Sequence, residues 1–492
     1  MTASASMSET PDQKLRRALG LHQAGQLAPA SALYREILAL APDHFDALYL
    51  LGAATTQSGD AATGLMYLDR ALAIKADFAS AHVQRGNALR RLGRNAEALL
   101  SFERALTIDA ASIDARINRG IELKELGRCE EALADLDVAV AAAPDDAVAH
   151  YNRAAVLVRM GRDDTALAAF ERAAALKPDF AEAHFGAAEC RLARGEFAGG
   201  WAGFEWRWRT LVFSRSGREF TPSQWRGEGA LAGKTILLHA EQGLGDTIQF
   251  CRYAPLLRER GARVVLEVQP KLKALIATLD PAVTVVARGE ALPPFDLHCP
   301  LMSLPGAFKT ELATIPARGP YLSADAARVT AWRERLPHDG VRIGLAWSGT
   351  ASHGNDRNRS ATLATLGVLA GPGRHLIGLQ SDMTTADRAA AASLANFTSL
   401  GDQLTDFAEI AALVAALDVV VTVDTVFAHL AGALGKPVFV LLSKACDWRW
   451  LQGRADSPWY PSAKLFRQET LGDWSAPMRR LQSEVGRLFP GG

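Results

Sequence analysis

Up to about residue 210, apolar positions recur at helical spacing in blocks of constant length. Gly25, Gly59, Gly93, Gly127, Gly161 and Gly195 punctuate the blocks, each 34 residues after the last. Five residues beyond each glycine stands a small side chain: Ala30, Gly64, Ala98, Ala132, Ala166 and Gly200. Four further on stands a bulky one: Tyr34, Leu68, Phe102, Leu136, Phe170 and Phe204. Small residues let two helices approach, bulky ones fill the gap, and proline (Pro42, Pro144, Pro178) stops the second helix. The pattern predicts helix pairs at 11–44, 45–78, 79–112, 113–146, 147–180 and 181–210. The sixth departs from the rest. Arg207 occupies the position held by Ala105, Ala139 and Ala173, which predicts a different neighbour for that block.

Beyond an irregular stretch at 206–233, carrying Trp206, Trp208 and Trp225 as expected packing aromatics, the period changes. Short apolar runs alternate with helical segments. TILLHA (235–240), RVVLEVQ (263–269) and VTVV read as strands, with helices at 245–261 and over KLKALIATL. A Pro/Gly-containing stretch follows, then VRIGLAW (341–347), HLIGLQ (375–380), VVVTVD (419–424) and VFVLLS (438–443). Such alternation predicts parallel sheets, here two successive Rossmann-like lobes with a cleft between them. Met478, Leu481, Val485 and Leu488 mark one face of a terminal helix expected to pack back across both lobes.

Formal net charge is zero, from 54 basic and 54 acidic residues, and no basic tract stands out, so nucleic acid is not expected as a partner. No run of 18 apolar residues is present, so no membrane span is expected. The first residues are polar and lack the apolar core of a signal peptide. Cys129, Cys190, Cys251, Cys299 and Cys446 show no metal-ligand spacing. The expectation is a soluble cytoplasmic protein with no bound metal.

Three segments carry candidate chemistry. In EQGLGDTIQF (241–250), Gly243 and Gly245 follow a strand and open a helix, permitting a tight turn and close approach of a ligand. The third glycine of a dinucleotide fingerprint is missing. Asp246 reads either as a helix N-cap or as a general base at the cleft. In VVVTVDTVFAHLAGALGKPVFVLLS (419–443), Asp424 and Thr425 lie where a strand ends and a small-residue helix begins, a place where backbone amides hold a diphosphate. His429, about one turn in, can donate to phosphate; a cap and a satisfied buried histidine are the purely structural alternatives. In AWSGTASHGNDRNRSATLATL (346–366), Ser348 and Gly349 form a turn able to meet phosphate, and Arg357 or Arg359 can neutralise a diphosphate leaving group. The alternative there is a charged loop with Ser360 as a helix cap. On the first helices of the repeats, Asn87, Asn118 and Asn152, with Arg119 and Arg153, recur at related positions. They form either a peptide-binding face or solvated polar positions.

The repeat pattern resembles the tetratricopeptide repeat, whose curved solenoids usually bind protein segments. GLGD at 243–246 and DTVFAHLAGALGKP at 424–437 make residues 234–470 similar to heptosyltransferase-type glycosyltransferases of the GT-B fold. The combination resembles protein O-GlcNAc transferases and bacterial repeat-bearing protein glycosyltransferases, including flagellin-modifying ones. This implies an α-solenoid at 11–210, a linker at 211–233, an acceptor-side N-terminal lobe at 234–322 and a nucleotide-sugar-side C-terminal lobe at 323–492. It implies Asp246 as base, Asp424, Thr425 and His429 as donor-binding residues, and a nucleotide-sugar as donor substrate with no metal. A protein or peptide acceptor would be recruited by the repeats, and a homodimer is compatible with a solenoid. Two alternatives remain: a scaffold with an inactive transferase domain, or an enzyme acting on a surface saccharide. Val426 stands where the family commonly has glycine, which narrows the room beside the phosphates.

Overall fold

The computed structural model describes residues 9–214, 218–349 and 356–489. Its internal contacts divide the chain into two units: Met1–Arg159 with Ala168–Asp179, and Met160–Leu167 with Phe180–Gly492.

The first unit is built of paired helices: Pro11–Gln23 with Leu27–Leu40, Phe45–Gln57 with Ala61–Ile74, Ala79–Arg91 with Asn95–Ile108, and Ile113–Glu125 with Cys129–Ala142. Ala147–Arg159 begins the fifth pair. The punctuating glycines all adopt positive φ, between 67° and 102°, the left-handed conformation that closes a helix. At the first of them, Gly25 N–H donates to His22 O and Gln26 N–H to Leu21 O. A further glycine position, not singled out from the sequence, completes three of the pairs. Gly52, Gly86 and Gly120 lie against Leu68, Phe102 and Leu136, and a methyl added to any of them would sit 2.5–2.9 Å from the bulky side chain. The helices can touch only because one partner has no side chain there.

The second unit contains the sixth helix pair, Ala181–Ala193 and Phe197–Phe204, followed by a 3-10 turn Glu205–Arg209. Then come two all-parallel sheets, the GT-B arrangement. The first has β1 (Thr235–His239), β2 (Arg263–Val268), β3 (Thr284–Ala287) and β4 (Leu297–Pro300), in the order β3-β2-β1-β4. The second has β5 (Val341–Ala346), β6 (Arg374–Gly378), β7 (Phe397–Ser399), β8 (Val419–Val423), β9 (Val438–Leu442) and β10 (Ala463–Arg467), in the order β10-β9-β8-β5-β6-β7. Strands β8 and β9 are buried at every position, as expected of central parallel strands covered on both faces. Strand order reverses beside β1 in the first sheet and between β5 and β8 in the second. Ligands bind at such switch points, at the strands' carboxyl ends.

Three strands were not legible. β4 (LHCP), β7 (FTS) and β10 (AKLFR) are short, and β10 interleaves charged residues with apolar ones. The helix expected at 245–261 is broken into Leu244–Phe250, a 3-10 turn Cys251–Tyr253, and Ala254–Glu259, whose second residue is Pro255. The terminal helix, Ser475–Leu488, does not cross both lobes. Met478, Leu481 and Val485 pack into a cluster with Ile343, Leu345, Val419 and Val421 of the second sheet, while Leu488 is exposed. A separate core joins the first sheet, the inner helices of the second lobe and the sixth repeat; Phe197, Trp201 and Phe204 share it with Trp448 and Trp459.

Candidate active site

The β5–β8 switch point brings two of the sequence segments together. Thr425 caps the helix Val426–Ala433: its hydroxyl accepts from Phe427 N–H at 3.3 Å and pairs with Thr422 Oγ1 at 2.9 Å. After β5, Trp347 N–H and Ser348 N–H both donate to Gln380 Oε1 (2.8 and 3.1 Å), and Gln380 Nε2 donates to Ser348 Oγ at 2.7 Å. Gln380 is thus the organiser of this loop, and its position just past β6 was its only sequence signal. Gly349 N–H donates to Ser360 Oγ at 3.1 Å. Ser360 is therefore not a helix cap; Thr362 caps the next helix, Leu363–Leu366. Of the two candidate arginines, Arg359 reaches the switch point, donating to the Asp424 carbonyl at 3.2 Å with its guanidinium laid on Gly349. A side chain at 349 would occupy that space. The side chain of Arg357 lies outside the described residues.

The GLGD loop follows β1 and faces this lobe. Gly243, not Asp246, is the N-cap of Leu244–Phe250. Asp246 sits at the third helical position, and its Oδ2 accepts from Gly243 N–H at 2.9 Å. Its Oδ1 accepts from Arg449 Nη2 at 2.6 Å, a cross-lobe ion pair. Arg449 also donates through Nη1 to both oxygens of Asp447, at 2.8 and 2.9 Å. It lies in a 3-10 turn, Trp448–Trp450, capped by Asp447. Nothing in the spacing of CDWRW advertised this role. The close neighbour that Gly245 permits is the His429 ring: a methyl on Gly245 would lie 2.7 Å from His429 Cδ2. His429 Nδ1 pairs with Tyr460 Oη at 2.9 Å, and the ring stacks on Trp450.

Electrostatically the site is a cluster of carboxyl groups with two guanidinium groups, those of Arg449 and Arg359. Burial, then the Asp447 charge, pushes the Asp424 carboxyl up to about 6. Asp447 is held below the usual range, burial being outweighed by Arg449. Burial pushes His429 down to about 3, so its ring is neutral. The sixth repeat adds a member missed from the sequence. Glu189, on the helix that packs against the Arg449 turn, is pushed up to about 8 by burial and by Asp447. Half-buried carboxyls of unequal proton affinity beside a neutral imidazole suit proton transfer and hydroxyl recognition.

Arg207 explains the broken repeat. It is fully buried and donates to Glu205 Oε1 (2.8 Å), Glu241 Oε1 (2.9 Å) and Ser303 Oγ (2.7 Å), tying the sixth repeat to the loops that follow β1 and β4. Trp225 is buried against Phe308, while Trp206 stacks on His184 at 4.0 Å. On the repeat face, Asn118 and Asn152 each donate to a carbonyl one turn back, at 2.8 Å, and Asn87 accepts from Arg90. Arg119 and Arg153 are ion-paired with Asp135 and Asp137.

Residues 79–112, 117–179 and 156–200 match models of the tetratricopeptide repeat. Residues 376–471, which run from β6 to beyond β10 and include Asp424, His429 and Arg449, match glycosyltransferase family 9 (heptosyltransferase). Repeats and a heptosyltransferase-type glycosyltransferase domain are thus joined in one chain. Protein FlbA of Caulobacter vibrioides is 27% identical over 321 residues, covering 60% of this chain and 53% of FlbA, so the chain spans about half the length of that relative. Among solved structures, the thermophilic TPR protein TTC0263 of Thermus thermophilus is similar with 22% identity over 37% of this chain and 100% of its own, at a TM-score of 0.34. MamA is similar with 18% identity over 34% of this chain and 96% of its own, at a TM-score of 0.30. No helix among the described residues is long and apolar enough to cross a membrane.

Proposed function

We propose that this chain transfers a sugar from a nucleotide-sugar to a protein recruited by the repeats, without a metal and with inversion at the anomeric carbon. The observation that carries the reading is the convergence at one switch point of Ser348–Gly349, the Arg359 guanidinium, and Asp424–Thr425 at a helix N-terminus, within a glycosyltransferase-type domain. Amides at that helix start and Arg359 meet the diphosphate, and Asp424 accepts from a donor hydroxyl. Asp246, on the facing loop, takes the proton of an acceptor hydroxyl. The oxygen attacks the anomeric carbon from the face opposite the diphosphate, the bond from that carbon to the diphosphate oxygen breaks, and the nucleoside diphosphate leaves with the bonding pair. The repeats raise the local concentration of acceptor, with the half-buried Asn87 and Asn118 offering their remaining amide capacity, whereas Asn152 is buried.

The test is thermal denaturation of the full chain with UDP-, GDP-, ADP- and CMP-linked sugars. At about 100 times its Kd, a true donor adds roughly 2.7 kcal/mol of stability. The shift is expected with one nucleotide class and should vanish in Asp424→Ala, while Asp246→Ala should abolish transfer. No shift with any member, or a shift indifferent to Asp424, overturns the donor site.

A further inference from the structure

We propose that Arg449 positions Asp246 and exchanges it for the donor's diphosphate, so that Asp246 becomes an effective base only after the donor has bound. The inference rests on the donor-site reading above.

As the loops stand, Asp246 is poorly placed to take a proton. Both of its oxygens accept strong hydrogen bonds, one from Gly243 N–H and one from Arg449. Donors and a cation at a carboxylate favour its charged form and weaken it as a base. Withdrawing the guanidinium removes the larger of these effects. The helix-cap bond from Gly243 remains and holds the carboxylate in place.

Arg449 is built to let go on one side. Asp447 lies two residues away on the same turn and grips Nη1 with both oxygens, so that contact travels with the arginine. Asp246 comes from the other lobe and holds a single nitrogen, Nη2. The guanidinium Nε is buried with no hydrogen-bond partner. The group therefore has unused donor capacity, and a diphosphate can satisfy it through two oxygens at once. The faces of Trp448 and Phe250, with centroids 4.4 and 5.6 Å from Arg449 Cζ, keep it in a low-polarity setting where exchange of one anion for another costs less than leaving the charge bare. Trp450, the next residue on the same turn, stacks on His429 of the helix Val426–Ala433 at 5.5 Å, so the Arg449 turn packs against the helix whose N-terminus forms the donor switch point. Donor binding and base activation then share one side chain.

The mechanism makes a prediction of unusual sign. Asp246 and the diphosphate compete for Arg449, so removing the charge of Asp246 should strengthen nucleotide binding. Calorimetric titrations of UDP, GDP, CDP and ADP into the full chain test this. For the nucleotide that binds, Asp246→Asn is expected to tighten Kd about tenfold and Arg449→Gln to weaken it about tenfold. The double variant should resemble Arg449→Gln alone, and Arg449→Lys should fall between. A purely structural clasp would weaken or leave unchanged both single variants. Wild-type-like or weaker binding by Asp246→Asn, in a chain whose wild-type binding depends on Asp424, overturns the exchange and leaves the donor site standing. Failure of all four nucleotides to bind the wild type overturns the donor site and the exchange with it. Melting curves of each variant confirm that the fold is intact.

Discussion

One position in the repeats separates the sixth from the others. Ile37, Ala71, Ala105, Ala139, Ala173 and Arg207 are equivalent by the 34-residue period, and all are completely buried. The apolar side chains need no polar partner there. The arginine is long because Glu241 and Ser303 of the transferase core stand where a further repeat would otherwise pack, and they supply the partners that a buried charge requires. Burial alone does not distinguish these environments; the chemistry of what does the burying does. Periodic repeats bury themselves against copies of themselves, and the one that ends the series becomes part of another domain's core.

The largest effect should come from making the sixth repeat look like the rest. Arg207→Ala leaves Glu241 buried without its cation and should destabilise the second unit by about 3–5 kcal/mol, measured by denaturant unfolding. The loss should grow with pH. The Glu241 carboxyl is already raised to about 7 by burial, against the opposing pull of Arg207. Without Arg207 it rises further, the folded state holds a proton that the unfolded chain releases above its ordinary carboxyl range, and stability falls as pH climbs through neutrality. Adding Glu241→Gln should flatten that slope; a slope unchanged by the second substitution would assign it elsewhere.

A smaller effect is expected within the regular repeats. Gly86→Ala would place a methyl about 2.5 Å from the Phe102 ring and should cost about 1–3 kcal/mol through overpacking. Replacing Phe102 by Leu in the same chain should recover part of it, as Leu68 and Leu136 already serve opposite Gly52 and Gly120. If it recovers nothing, the glycine is there for helix geometry rather than for its neighbour.

The smallest effect develops as pH rises from the ordinary carboxyl range through 8. Glu189, with its carboxyl raised to about 8, keeps a proton that the unfolded chain gives up above about 4.5. Its contribution is therefore complete at acid pH and is lost as pH rises toward and through 8. Glu189→Gln should melt like the wild type at about pH 5 and a few degrees higher at about pH 9. Equal melting at both values would mean that Glu189 is ionised in the fold.

The helical repeats were readable because each contact is local and recurs. The glycine at a turn, the small residue and the bulky residue that meets it all lie within one period. The central strands were readable because parallel strands covered on both faces are continuous apolar runs. Strands β4, β7 and β10 were not, because short edge or near-edge strands owe their state to a neighbour supplied from elsewhere in the chain. Asp246, Asp424, Thr425 and His429 stood out as residues where a strand turns into a helix. Their partners did not. Gln380, Tyr460, Glu189 and Arg449 carry no motif of their own, and no spacing rule connects residue 246 with residue 449.

From the sequence alone followed the two architectures, their order, and the loops at which chemistry is concentrated, because period and strand-end composition are local properties of the chain. Tertiary structure decided which groups face one another: Arg207 against Glu241, Arg359 over Gly349, and above all Arg449 between Asp246 and its own Asp447. The physical reason for the division is range. Helix and strand patterns are set within a few residues. An ion pair between groups 203 positions apart exists only once folding has brought two lobes together and excluded the water that would otherwise screen it.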